Sequence, residues 1–205
     1  VINQKEAKLS EDISLIIQKT CQSLLATPEI NATYFPLSVW QTGSGTQTNM
    51  NVNEVIAHLA SDILKVHPND HVNLSQSSND VFPTAMHIAA YSEVSSKLLP
   101  ELEAWIGELN ILMVDNMNKI KLGRTHLQDA TPITFGQEVS GWKGMIEHSL
   151  EAIRSSNERL LKLAIGGTAV GTGLNASDKF GHDVAAELAE ITGYPFMSEP
   201  NKYLA

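Results

Sequence analysis

The sequence predicts an all-α protein organised around two long helices. Apolar residues recur every three or four positions over residues 80–121 and again over 139–161, which is typical of a helix with one buried face. No stretch shows the sustained alternation of apolar and polar residues that marks a half-buried strand. At 1.5 Å per residue the first pattern would be roughly 60 Å long, a length that indicates part of a long helical bundle.

The first part of the chain, residues 1–77, predicts a smaller helical N-terminal domain. Ser10 is followed by two acidic residues and then by apolar residues at helical spacing, so a helix should begin there and end before Pro28. Residues 28–42 predict a loop. A second helix is expected over 52–63, and it should end before the turn-forming residues 67–70.

The remainder, residues 78–205, predicts the central bundle domain. Pro100 lies inside the first long pattern and should kink the helix, because proline lacks a backbone N–H and its ring clashes with the preceding turn. Four glycines within residues 166–173 exclude a stable helix there. A last helix is expected over 178–192.

Composition excludes several classes of function. The 205 residues carry a net charge of −9 and no basic run, so neither nucleic acid nor an anionic membrane is an expected partner. No apolar run approaches the roughly 20 residues that span a bilayer. The single cysteine, Cys21, excludes a disulfide within the chain and fits a reducing compartment. We expect a cytoplasmic protein, with the mitochondrial matrix as the alternative in a eukaryote.

Three short segments concentrate hydrogen-bonding side chains between the predicted helices. We name them the first polar segment (43–49), the second polar segment (75–80) and the third polar segment (123–132). The third contains a guanidinium, hydroxyls, an imidazole, an amide and carboxylate oxygens, more than a simple connection requires. We predict that the three segments converge on a small, oxygen-rich anion.

The first two polar segments each precede a predicted helix. The first turn of a helix has unpaired backbone N–H groups and a partial positive charge, so it can bind a carboxylate or a phosphate. The alternative is that Ser78 or Asn79 only caps the helix. His126, in the third segment, carries an imidazole suited to proton transfer near neutral pH, although a single histidine is often structural.

Neither a metal site nor a cofactor is predicted. No pair of histidines has metal-ligand spacing together with carboxylates. The glycine-rich residues 166–175 lack the preceding strand that a dinucleotide-binding fingerprint needs.

The polar segments resemble the shared regions of the fumarase/aspartase superfamily. The strings that carry the resemblance are GSGTQTNMNVNE at 43–54, SQSSNDVFPT at 75–84 and GRTHLQDA at 123–130. Within the superfamily they resemble class II, iron-independent fumarases, because aspartate ammonia-lyases carry glutamine where this chain has His126. The resemblance implies a long-helix bundle with a smaller helical N-terminal domain.

The resemblance also implies the reaction, the reversible hydration of fumarate to (S)-malate in the tricarboxylic acid cycle. A base removes a proton from C3 of malate, and the resulting charge spreads into the adjacent carboxylate, where hydrogen-bond donors stabilise it. Thr125 and His126 would lie at the reacting centre, with His126 positioning or activating the water. The residues implied to bind substrate are Ser44, Thr46, Ser77, Ser78, Asn79 and Thr125.

A secondary anion site is implied at His67, Asn69 and Asp70, although a plain helix-terminating turn explains the same residues. The resemblance further implies a homotetramer in which each active site takes its three shared regions from three subunits. The family's third shared region, a mobile loop with a serine base, is not found in these residues. We therefore expect an incomplete portion of a longer polypeptide.

Two alternatives to a fumarase remain open at this point. One is an enzyme of the aspartate ammonia-lyase type. The other is a truncated helical assembly module that keeps the bundle without the chemistry.

Overall fold

The structure is a computed structural model, and it describes residues 1–27, 32–38, 40–42 and 45–204. The chain forms two compact units. Unit 1 contains Val1–His87 together with the residues from Leu161 onward, and unit 2 contains Ile88–Leu160. The domain boundary that the sequence predicts, between residues 77 and 78, does not coincide with the limits of these units, and it stays a prediction.

Unit 1 begins with three helices, two of which pack around a small apolar cluster. Helix α1 is Ile2–Lys5, α2 is Glu11–Ala26 and α3 is Thr46–Ala60. Ser10 caps α2 as predicted, since its side chain accepts a hydrogen bond from the backbone N–H of Ile13. The cluster joins α2 to α3 and to the segment beyond it, and its buried members are Ile16, Ala57, Ala60 and Val66.

Two short helical turns complete this part of unit 1. Ala32–Tyr34 is a 3₁₀ turn within the region that the sequence predicts as a loop. Pro68–Val72 is a π-helical turn, and it lies at the turn-forming run that follows the second predicted helix.

The first long helical pattern forms three consecutive elements. Helix α4 is Ser78–Glu93, a π-helical segment is Val94–Leu98, and α5 is Leu99–Asp115. Pro100 lies in the first turn of α5, directly after the π-helical segment. The kink predicted at Pro100 stays a prediction, and a local change of helix type lies directly before this proline.

The same pattern ends earlier than the sequence predicts. The helix was expected to continue to residue 121, but α5 ends at Asp115. The side chain of Asn116 donates a 2.7 Å hydrogen bond to the carbonyl of Leu112, so it competes with the backbone for the last acceptors of the helix.

Unit 2 is a helix pair joined by a β-hairpin. Strand β1 is Ile120–Thr125, β2 is Gln128–Thr134, and they pair in antiparallel register before α6, Phe135–Arg159. Helix α6 runs antiparallel to α5, because Gly136 lies against Met113 near one end and Arg154 pairs with Glu103 near the other.

The last part of the chain returns to unit 1. Strand β3, Lys162–Leu163, pairs in parallel with β4, Met197–Ser198, and helix α7, Phe180–Thr192, lies between them in sequence. Leu163, Phe180 and Ala185 are almost completely buried and form the core of this region. Gly166, Gly171 and Gly173 have positive φ, so the glycine-rich segment is non-helical, as predicted.

The architecture is all-α, as the sequence predicts, because the strands are short and contribute no layer of their own. The strands were not predicted, and the hairpin is the larger of the two strand pairs. Most of its residues are exposed, so no face is buried and no apolar alternation appears in the sequence. Among the described residues, no helix has both the length and the apolar character needed to cross a bilayer.

Candidate functional site

The first and second polar segments meet in unit 1. The side-chain amide of Asn49 donates a 2.9 Å hydrogen bond to Oγ of Ser78, and both residues are buried. Asn49 lies in the first turns of α3, and Ser78 is the first residue of α4. The bond therefore holds the starts of these two helices together.

Ser77 and Asn79 shape the second polar segment. Oγ of Ser77 accepts a 3.2 Å hydrogen bond from the backbone N–H of Asn79, which is a capping contact at the start of α4. The side-chain amide of Asn79 donates a 2.8 Å bond to the carbonyl of Ala169 in the glycine-rich segment. The alternative interpretation named Ser78 or Asn79 as the cap, but the capping side chain is that of Ser77, and capping does not explain the bond from Asn79 to Ala169.

Asp80 makes the largest set of contacts at this junction. It is only 2% exposed. Oδ1 accepts a 2.9 Å bond from the N–H of Ser77, while Oδ2 accepts bonds from the N–H groups of Gly166 at 3.0 Å and Thr168 at 2.8 Å. The carboxylate therefore joins the second polar segment to the glycine-rich segment.

A cavity of about 250 Å³ lies beside this junction, and Asn79, Thr168 and Lys202 are among the residues that line it. The ammonium of Lys202 donates to the carbonyl of Leu163 at 3.2 Å and to Oγ of Ser198 at 2.5 Å. Burial lowers the pKa of Lys202 below its usual value, and the nearby carboxylates of Glu199 and Asp80 oppose that shift.

The first polar segment is described from Gly45 onward, so the implied binder Ser44 lies outside the described residues. Gly45 caps α3 with a φ of 76°, and a Cβ there would lie 2.2 Å from the Phe82 ring. Glycine is therefore required both for the backbone conformation and for the close packing on α4. Thr46, the next residue, begins α3 and is exposed.

The third polar segment forms the end of the hairpin in unit 2. Thr125 pairs with Gln128, so His126 and Leu127 alone form the turn. Both have positive φ, 48° and 62°, as a two-residue type I′ turn requires. The exposed side chain of His126 thus projects from the hairpin tip together with Leu127, which is 93% exposed.

The two strands that flank this turn contain an exposed ion pair and a register irregularity. Arg124 Nε lies 3.3 Å from Oδ1 of Asp129 on the opposite strand, where both side chains are exposed and the pair stabilises little. The register shifts between Leu122 and Arg124. Gly123 lies at this irregularity, and a Cβ on it would be 2.6 Å from the carbonyl oxygen of Thr131.

The predicted convergence of three polar segments is therefore seen for two of them. The first and second are joined in unit 1, whereas Thr125 and His126 belong to unit 2. The roles assigned to the individual residues stay predictions.

The residues of the implied secondary anion site make contacts with one another. Nδ1 of His67 accepts hydrogen bonds from the N–H groups of Asn69 at 3.3 Å and Asp70 at 3.1 Å. The same nitrogen lies 3.3 Å from Oδ2 of Asp70. The geometry fits the helix-terminating turn, because the N–H groups that would bind an anion are already engaged.

Asp80 and Lys202 are site residues that the sequence argument did not single out. The sequence could have identified Asp80, because an acidic residue three positions after Ser77 has the spacing of a capping box. No sequence feature could have identified Lys202, because it lies far from the second polar segment in sequence. In the described part of the chain, no group of three or more histidine, cysteine, aspartate or glutamate side chains is arranged to hold a metal ion.

Comparison with known proteins defines the class to which this fold and site belong. The family model described as "Lyase" matches residues 2–205. The chain therefore belongs to this lyase family.

Within the family, the chain is similar to proteins named class II fumarate hydratase. It is 55% identical to one from Listeria monocytogenes over 207 aligned residues, covering 100% of this chain and 45% of the relative. It is 49% identical to one from Nitrosomonas europaea, covering 100% of this chain and 47% of the relative. The chain thus spans about half the length of the curated relatives that it matches.

Solved structures show the same fold. A class II fumarase from Schistosoma mansoni matches with a TM-score of 0.90 and 42% identity, over 98% of this chain and 46% of that one. A structure from Brucella melitensis, described as fumarate lyase:delta crystallin bound to cobalt, matches with a TM-score of 0.85 and 33% identity, over 98% of this chain and 45% of that one.

Proposed function

We propose that the polypeptide containing this chain catalyses the reversible hydration of fumarate to (S)-malate. The observation that carries the proposal is the 49–55% identity, across the whole chain, to relatives named class II fumarate hydratase. The presence of His126 rather than glutamine at the hairpin tip favours water over ammonia as the group added.

The start of α4 supplies donors for the substrate's carboxylates. The second polar segment places hydroxyl and amide side chains at the positive end of a 16-residue helix, which favours a negatively charged ligand. Donors that are already fixed by protein contacts need little rearrangement as charge develops on the carboxylate in the transition state. Ser77 and Asn79 are fixed in this way, through Asp80 and Ala169.

His126 would position or activate the water that adds to fumarate. An imidazole that acts on a ligand must be accessible, and the turn at residues 126–127 leaves this side chain exposed. Thr125 is also exposed beside it and would donate a hydrogen bond to substrate.

We further propose a cytoplasmic homotetramer in which each active site combines residues of different subunits. Supporting this, the hairpin tip is exposed, and so are large apolar side chains of unit 2, which a partner would cover. These side chains include Trp105, Ile111, Val114, Trp142 and Met145.

The test is the ultraviolet absorbance of fumarate after the natural-length polypeptide is mixed with malate, without added metal. A steady rise is expected. A constant absorbance from a correctly assembled protein would contradict the proposal and favour a non-catalytic assembly module. Release of ammonia from aspartate, with malate untouched, would instead favour an aspartate ammonia-lyase.

The variant His126→Asn tests the proposed role of this imidazole in the reaction. It should lower kcat severely while the mass measured by light scattering stays unchanged, because the side chain lies in an exposed turn rather than in a core. Near-normal turnover would remove His126 from the mechanism.

A further inference from the structure

We propose that Asp80 is a positioning residue of this lyase site, fixing the second polar segment in the orientation that binds substrate. The inference rests on the proposed function, because Ser77, Ser78 and Asn79 are substrate ligands only if that function holds. Asp80 itself is buried and acts through its neighbours.

The carboxylate of Asp80 works as a clamp between two segments distant in sequence. Oδ1 faces the N–H of Ser77 at 2.9 Å, while Oδ2 faces the N–H groups of Gly166 and Thr168 at 3.0 and 2.8 Å. Three backbone donors from two segments therefore meet one side chain that is 2% exposed. A buried carboxylate satisfied in this way fixes the relative position of its donors.

The chemistry of this clamp requires a carboxylate. Only a side chain with an acceptor on both sides can serve Ser77 and the glycine-rich segment together. An asparagine could keep its oxygen toward Gly166 and Thr168, but its NH₂ would then face the N–H of Ser77. Two donors facing each other lose that bond, so Asp80→Asn should release the second polar segment while leaving the glycine-rich segment held.

The clamp acts on the residues proposed to bind substrate. In Asp80→Asn the backbone N–H of Ser77 loses its acceptor. The capping bond from the N–H of Asn79 to Oγ of Ser77 lies in the same turn and depends on it. The bond from Asn79 to Ala169 also spans the two segments. Release of Ser77 therefore moves donors that the substrate's carboxylates would use.

Thr84 offers a matched control one turn further along α4. It is 5% exposed, and its Oγ1 accepts a 3.0 Å hydrogen bond from the N–H of Ile165, beside the same glycine-rich segment. Thr84→Val removes this buried acceptor at nearly constant volume. It therefore tests general loosening of the contact between α4 and residues 165–168 without touching the second polar segment.

The experiment compares the natural-length wild type, Asp80→Asn and Thr84→Val by malate kinetics and by amide hydrogen exchange. We expect Asp80→Asn to raise KM for malate roughly tenfold or more with a smaller change in kcat, because misplaced ligands cost binding. Exchange should accelerate at residues 77–79. Thr84→Val should change KM little, while exchange accelerates at residue 165.

The outcomes separate this proposal from the function on which it rests. Equal effects of the two variants on KM, or a wild-type KM in Asp80→Asn, would overturn the positioning role while leaving the function intact. A wild type that is inactive toward malate would overturn the function, and the hydrogen exchange would then show whether the clamp exists without this chemistry. If Asp80→Asn does not fold, Asp80→Glu replaces it: the extra methylene displaces both acceptors, so KM for malate should rise and exchange should accelerate at residues 77–79, and a wild-type KM would overturn the positioning role.

Discussion

At the scale of single residues, the site depends on backbone conformations that side chains usually avoid. His126 and Leu127 both have positive φ, a conformation that costs an L-residue roughly 1–2 kcal/mol. Glycine or asparagine would relieve that cost. The sequence instead places an imidazole and a fully exposed leucine at the turn, which indicates that their side chains are needed beyond the hairpin itself.

Leu127→Gly should therefore stabilise this chain by roughly 0.5–1 kcal/mol, because glycine adopts positive φ without strain. The measurement is urea denaturation of the isolated chain. Leu122→Gly, at an exposed position inside β1, is the control and should destabilise it by a similar amount. A loss of stability in both variants would mean that the turn is not strained.

Ser78→Ala should destabilise the chain by roughly 1–3 kcal/mol, because the buried side-chain amide of Asn49 loses its acceptor. Denaturant unfolding measures the change. Asn49→Ala in the Ser78→Ala background should then cost less than Asn49→Ala alone. Additive effects of the two substitutions would show that the bond contributes nothing to stability.

At the scale of elements, the helices follow from sequence and the hairpin does not. Ser10 before two acidic residues marks the start of α2, and the apolar spacing after residue 139 marks α6. Gly123 lies inside β1, where its close approach to the carbonyl of Thr131 excludes any side chain. The strands of the hairpin could not be predicted, because most of their residues are exposed and no buried face imposes an alternation of apolar and polar residues.

The candidate site, like the fold, could be predicted only in part. The polar segments stand out by composition, and two of them do lie at helix starts. The junction of the second polar segment with the glycine-rich segment could not be predicted, because Gly166 and Thr168 lie far from Asp80 in sequence. Nothing in the local pattern around residues 166–168 indicates which side chain will satisfy their N–H groups.

The capping box of α6 gives a prediction at this scale. Oγ1 of Thr134 accepts from the N–H of Gln137 at 3.0 Å, and Oε1 of Gln137 accepts from the N–H of Thr134 at 2.8 Å. Thr134→Ala should cost roughly 1 kcal/mol of stability, measured by thermal unfolding. Thr134→Ser keeps the hydroxyl and should cost clearly less, so equal losses would contradict the capping role.

At the scale of the whole molecule, unit 2 exposes several large apolar side chains. Ile111 and Val114 lie three positions apart on α5, so they share one face of the helix, and they are 57% and 59% exposed. Neighbouring exposed apolar side chains on one helix face are typical of a surface that another protein covers. A second copy of the chain is the occupant that the proposed tetramer supplies.

Ile111→Glu should therefore shift the assembly toward smaller species in light scattering, because a carboxylate would have to be buried in the interface. Circular dichroism should show unchanged helix content. Ser155→Glu, which adds the same charge at an exposed polar position of α6, is the control and should assemble as the wild type does. Equal masses for all three proteins would exclude this face as the interface.

Unit 1 is built from two separate parts of the chain, so it can be completed only after unit 2 has been synthesised. Asn79, Asp80 and Thr84 find their partners 81 to 90 residues later in the chain, whereas unit 2 is continuous and can close as soon as residue 160 leaves the ribosome. We expect limited proteolysis of stalled nascent chains to show a resistant unit 2 before the first 87 residues become resistant. The segment proposed to bind substrate is therefore made early and completed late.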